Sequence, residues 1–355
     1  DPDGTSLNEG WFKGPFTISH YQRNFFRPAF AQQVEWSFPI DYKTLHFHAP
    51  IPETKALMEL IDQKKPTFIY SLHNAGFGGC YWYLTDGDEA LYKALYRQPA
   101  LEKVPLNLGE PEAPYCEEFY PGMYRMLGVK AHYDYLEKFV PDKDPATMIT
   151  SGTSSDEYAN REGKIISRAL VNEMPYFYDQ RIDDTTPSDM IRREAVLINC
   201  DQTEAFFAAL TPLYERAKPL IRTWNPFFIS VEDRMAGSSA GNMDAKRQWA
   251  MTPEFEEKAT VAQKFENLYG QGFYRNLSMC LLWRACTYEL EHGTDMSDAA
   301  RAELEAIKAD AGKLMEENLR YLEENLHYQA IPIQKLVRIQ LASGLLYAKY
   351  VHDKN

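Results

Sequence analysis

The run Thr67-Phe68-Ile69-Tyr70-Ser71-Leu72 constrains this chain more than any other feature. It is short, mostly apolar and rich in β-forming side chains, which is the pattern of a buried strand. It stops at His73-Asn74-Ala75-Gly76-Phe77-Gly78-Gly79, where glycines permit a tight turn. Before it, residues 53–65 carry Ala56, Leu57, Leu60 and Ile61 at helical spacing behind Pro50 and Pro52. Residues 86–98 read as a further helix with Asp86 or Asp88 as N-cap. A second strand is expected over 167–174, ended by Pro175. Strands alternating with helices predict an α/β fold whose central sheet is mostly parallel or mixed, with helices on both faces.

The character changes after residue 187. Residues 195–221 show a helical pattern interrupted by Pro212 and Pro219. Residues 228–244, with Gly237, Ser238, Ser239 and Gly241, read as a loop. Leu304, Ile307, Ala311, Met315, Leu319 and Leu322 then form an apolar stripe at three- and four-residue steps. Ile333, Leu336, Val337, Leu341 and Leu345 continue it beyond a break at 329–332, which predicts a helical hairpin. The expected division is an α/β part over 1–187 and an α-helical C-terminal extension over 188–355. Those helices either cap the core or join two copies into a homo-oligomer.

A net charge of -13 argues against a nucleic-acid partner and against docking on anionic lipid. No apolar run reaches the roughly 18 residues of a membrane span. The five cysteines are scattered, with no CxxC spacing, so neither a disulfide framework nor a cysteine zinc site is expected. That usage favours a reducing, cytoplasmic setting.

In α/β sheets ligands bind beyond the carboxyl ends of the strands. His73 and Glu173 occupy such positions. An imidazole can ligate a metal, and a carboxylate can act as general base. Taken singly, each is more often plain structure. His46 and His48, two apart, would share one face of a strand. A second metal site there is conceivable, but surface histidines are the reading favoured by their context.

Order and spacing add a resemblance. Asp1-Pro2-Asp3-Gly4 looks like the Asn-Pro-Asp-Gly segment of zinc metallocarboxypeptidases of the carboxypeptidase A-like family. Gln22-Arg23-Asn24-Phe25 resembles that family's Asn-Arg-Asn-aromatic motif, which holds the terminal carboxylate of the substrate. The step of 50 from Arg23 to His73 matches the family's distance to its third zinc-binding His. Ser151-Gly152-Thr153-Ser154-Ser155-Asp156 is similar to its specificity-pocket segment, and Val171-Asn172-Glu173 to the strand that bears its catalytic Glu. The resemblance implies a carboxypeptidase-like core over 1–187. It implies zinc as cofactor, His73 as metal ligand and Glu173 as catalytic base. Arg23, Gln22, Lys13 and Ser155 would bind substrate, with Arg27 as an alternative to Arg23. A planar guanidinium suits a carboxylate because it makes two parallel bonds. Ser155, small and neutral, implies no preference for a basic terminal residue.

The chain departs from the family pattern in several places. No His is followed three residues later by Glu, so the family's first zinc motif is missing, and an N-terminal truncation is expected. Lys13 stands where the family has a carbonyl-polarising Arg. Met148-Ile149-Thr150 stands just before the Ser-Gly segment, where the family has a mobile Tyr, and Asn74 follows the His. The expectation is a zinc-dependent hydrolase that removes a C-terminal residue from a peptide or cleaves a related amide. An N-acyl amino acid deacylase and a binding module that has lost its metal are the alternatives.

Overall fold

The computed structural model describes residues 2–237 and 240–354. Asp1 of the Asp-Pro-Asp-Gly segment, and Ser238 and Ser239 of the expected loop, lie outside the described residues. In chain order the strands are β1 (Ile40–Tyr42), β2 (Leu45–Phe47), β3 (Phe68–His73), β4 (Tyr81–Leu84), β5 (Glu118–Tyr120), β6 (Met123–Arg125), β7 (Arg168–Glu173), β8 (Phe177–Tyr178), β9 (Pro187–Ile191), β10 (Lys258–Thr260) and β11 (Gln329–Ala330). The α-helices are α1 (Pro2–Phe12), α2 (Ile18–Asn24), α3 (Pro52–Lys64), α4 (Glu89–Glu102), α5 (Val129–Phe139), α6 (Ser155–Ala159), α7 (Arg192–Ala217), α8 (Pro226–Gly237), α9 (Ala240–Trp249), α10 (Val261–Phe265), α11 (Gln271–His292), α12 (Asp298–Asn325) and α13 (Ile333–Lys354).

A mixed five-stranded sheet, ordered β3-β7-β4-β6-β5, carries the fold. β3 runs parallel to β7 in a continuous register from Phe68↔Arg168 to His73↔Glu173. β4 runs antiparallel to β7 and parallel to β6. Successive side chains on a strand point to opposite faces. Trp82 and Leu84 therefore face one way, into an apolar cluster with Leu91 and Leu95 of α4 and Leu336 and Tyr347 of α13. Trp82 Nε1 donates to Ser343 Oγ at 3.3 Å, which fixes α13 on the sheet. Tyr81 and Tyr83 face the other way, with Tyr124 and Val171.

The strands and helices expected around residues 53–102 and 167–174 form where their patterns place them. α4 is capped by Asp88, whose side chain accepts from Leu91 N at 3.0 Å. Three expectations for the second half need correction. α7 runs through Pro212 without a break, because Leu210, Leu213 and Tyr214 are buried on both sides of it, and packing outweighs the lost N–H. Residues 228–237 and 240–244 are helical and not a loop: Phe227, Phe228 and Val231 lie buried on one face of α8, and α9 starts at Ala240. Nor do the last two helices form a hairpin. The break at 329–332 contains β11, which pairs antiparallel with β8 and redirects the chain. As a result α12 buries Leu304, Ile307, Ala311 and Met315 with α11, while α13 packs on the sheet.

The largest apolar cluster crosses residue 187. It joins Trp11, Ile18, Tyr21 and Phe25 from the first helices to Phe77 and Phe177 near the sheet and to Phe273 and Leu277 of α11. Phe273 is fully buried and stacks 5.7 Å from Tyr21 and 5.6 Å from Phe77. Truncating a buried Phe costs about 3–5 kcal/mol. Phe273→Ala is therefore expected to lower unfolding free energy by that amount in a denaturant titration. Val337→Ala, on the exposed face of α13, should stay within about 0.5 kcal/mol.

Candidate functional site

The site is built on the ends of three adjacent strands. His73 closes β3, Glu173 closes β7 and Tyr81 opens β4, and the registers His73↔Glu173 and Tyr81↔Glu173 put them in one row. All three fall on the face opposite α13. His73 Nδ1 is hydrogen-bonded to Glu173 Oε1 at 2.9 Å. Behind the row, Glu112 Oε2 accepts from Tyr81 at 3.1 Å and from Tyr83 at 2.8 Å.

The turn after β3 holds the row in place. Gly78 has φ +137°, outside the range of side-chain-bearing residues, and its N–H donates to Phe177 O at 3.0 Å. A Cβ on Gly79 would lie 2.2 Å from the Leu106 carbonyl carbon, so only glycine lets the two backbones meet. The backbone oxygen of His73 accepts from Gln340 Nε2 of α13 at 2.9 Å.

His73, Tyr81, Glu112 and Glu173 line a cavity of about 610 Å³. Trp11, Tyr21, Phe77 and Tyr176 form an aromatic wall, with Trp11 edge-on to Tyr176 at 4.7 Å and to Tyr21 at 5.1 Å. Arg27 and Arg234 also reach the cavity. Arg27 Nε donates to Gln33 Oε1 at 3.1 Å, and the Arg234 guanidinium lies 5.7 Å from the centre of the Phe25 ring. Among the described residues no carboxylate pairs with either.

The electrostatics follow from burial. Burial lowers the pKa of His73, but the Glu173 hydrogen bond and charge outweigh it, so the imidazole holds its proton above its usual range. Burial, and then the charge of Glu173, raise Glu112, against the hydrogen bonds from Tyr83 and Tyr81. Burial lowers Arg234 to about 10, and repulsion from Arg27 adds to this. Glu266, also on the cavity wall, is pushed up to about 8 by burial and by the charge of Glu110, against the hydrogen bond it accepts from Glu110 N. Its Oε2 accepts from Glu110 N at 2.8 Å and its Oε1 from Gln271 Nε2 at 3.2 Å.

The other residues expected from the sequence are elsewhere. Arg23 makes a two-bond ion pair with Glu316 of α12 and also contacts Ser19, so its guanidinium is committed away from the cavity. Gln22 is fully buried in the core, where it donates to Phe273 O at 2.9 Å and accepts from Asn276 Nδ2 at 2.7 Å. Ser155 is buried at the start of α6, with N and Oγ directed at Glu35 at 3.1 and 3.2 Å. Lys13 is exposed and does not line the cavity. Arg27, the alternative, does line it. Arg234, Glu112 and Glu266 were missed. Arg234 had a signal, the helical spacing Phe227-Phe228-Val231 that leads to it. The two glutamates had none, because distant packing buries them.

A catalytic zinc takes three protein ligands. Among the described residues the cavity offers His73 and its neighbour Glu173, but no three-donor cluster; the one such cluster is Asp41, His46 and His48, outside the cavity. No family model, curated protein or solved structure that was compared with the chain matches it.

Glu266 gives a signed pH dependence. Its folded pKa of about 8 lies above the ordinary 4.5, so between these values the folded chain holds a proton that the unfolded chain has released. Stability contributed by this group must fall as pH rises through that window. In denaturant titrations across it, the stability of the native protein relative to Glu266→Gln should decline. A difference that stays constant with pH would place the carboxyl at its ordinary pKa.

Proposed function

We propose that the cavity is the active site of a zinc-dependent hydrolase that removes the C-terminal residue of a peptide or cleaves a related amide. The observation that supports this most is the His73–Glu173 pair. An imidazole and a carboxylate end neighbouring strands in register, share a hydrogen bond of 2.9 Å, and face a cavity lined by two guanidinium groups that form no ion pair among the described residues.

The residues present fit part of a zinc site. His73 would supply one ligand, with Glu173 beside it; the described residues of the cavity hold no further donor cluster. Zinc, when bound, supplies an acidified water. The chain's own groups do the remaining work. Glu173 would serve as the general base, and then the acid, that holds and returns a proton at its carboxylate. Arg27 and Arg234 receive the free carboxylate of the departing residue, because charge-assisted bonds to a guanidinium are the strong ones and, among the described residues, neither side chain is ion-paired with an acid. The aromatic wall takes the apolar part of the residue and limits solvent. Arg23 has no part in this reading, since Glu316 already satisfies it.

The incomplete donor set favours a second reading, a module that binds a carboxylate ligand without turning it over. Turnover by the full-length protein separates the two. On a blocked dipeptide, Glu173→Gln should retain zinc and lower kcat by about 10²–10⁴-fold, the contribution of a general base. Arg27→Ala should lower kcat/KM by about 10–100-fold, as expected for lost charge-assisted bonds, and Arg23→Ala should leave it near the native value. Equal turnover by the native protein and Glu173→Gln would remove Glu173 as base. A faster reaction with an acyl amino acid than with the dipeptide would identify a deacylase.

A further inference from the structure

The β1–β2 hairpin carries a second, separate constellation. Asp41 lies opposite His46 in the antiparallel register, and His48 follows two residues later on the same face. His46 Nδ1 lies 2.7 Å and His48 Nε2 3.0 Å from the same oxygen, Asp41 Oδ1. The three donor atoms all lie within 4.8 Å of one another. We propose that Asp41, His46 and His48 form a surface site for a first-row divalent cation, of which zinc is one that two imidazoles and one carboxylate bind.

The geometry needs little change. Zinc bonds to imidazole and carboxylate are about 2.0–2.2 Å, which gives a tetrahedral donor–donor edge of roughly 3.3 Å. The separations of 2.7 and 3.0 Å need to open by roughly 0.3–0.6 Å for an ion to take the place of the shared protons. Both rings already converge on one carboxylate oxygen, so the side chains require no large rotation. Each of the three side chains is about three-fifths exposed, at 61%, 60% and 63% for His46, His48 and Asp41, which leaves room for water as the fourth ligand.

The local charges favour a cation. Lys43, the cation at the hairpin turn, is held by Asp134 at 2.8 Å and Glu137 at 2.6 Å. Asp41 is left to the two imidazoles. The nitrogen and oxygen set suits zinc, nickel and copper better than calcium or magnesium, which prefer oxygen donors alone. The site is open on the hairpin, so the expected role is binding of a metal and not hydrolysis.

This inference does not depend on the cavity, and the test separates the two sites. Zinc binding is measured by titration calorimetry on the native chain, on His46→Ala/His48→Ala and on His73→Ala. A binding event present in the native chain and in His73→Ala, but lost in the double variant, is the expected result. His48→Gln alone should weaken that event by more than the roughly 10–100-fold that loss of an outer-sphere partner causes. All substituted histidines of the hairpin are exposed, so circular dichroism should show an unchanged fold. A native chain without any zinc event, or an event that survives in the double variant and vanishes in His73→Ala, would overturn the proposal.

Discussion

The parallel pairing of β3 with β7 decides where every group of the cavity sits. Six in-register pairs fix it, ending at His73↔Glu173. A slip of one residue would turn each side chain to the other face. His73 would then point into the apolar layer under α13. That layer holds the register: Trp82, Leu170 and Tyr347 are fully buried there and admit no polar replacement at low cost. The hydrogen bond between the imidazole and the carboxylate is thus a consequence of packing on the opposite side of the sheet.

The cavity that results is electrostatically unfinished. Its carboxyl groups are partly neutralised by raised pKa values or engaged with hydroxyls, as Glu266 and Glu112 show. Its two arginines have no acid among the described residues to pair with. A guanidinium removed from water without an ion-pair partner is costly, and burial lowers the pKa of Arg234 accordingly. A bound carboxylate would relieve that cost, whereas it could gain nothing comparable from Arg23, already neutralised by Glu316. This difference decides between two arginines four residues apart in the chain.

Much of the first half was legible because local rules suffice for it. The apolar run before His73, the cap at Asp88 and the stop at Pro175 each act within a few residues. The placing of His73 and Glu173 at strand ends followed from the same patterns. Arg23 and Arg27 could not be told apart locally. α2 ends at Asn24, and Phe25 leaves the helix in an extended conformation; the partner that claims Arg23 lies 293 residues away. The break before α13 was visible, but its strand partner at 177–178 was not, so a hairpin was expected where the chain crosses to the sheet. In 228–244 the glycines and serines drew attention from Phe227, Phe228 and Val231, whose spacing already described the face of a helix.

The central claim is that ligand carboxylates are received by Arg27 and Arg234 beside the His73–Glu173 pair. Side-chain Nε–Hε resonances of the arginines, followed by heteronuclear NMR during titration with a blocked dipeptide, test it most directly. The account predicts saturable shifts for Arg27 and Arg234 with the Arg23 signal unmoved. Shifts confined to Arg23, or none at either cavity arginine at saturating ligand, would contradict it.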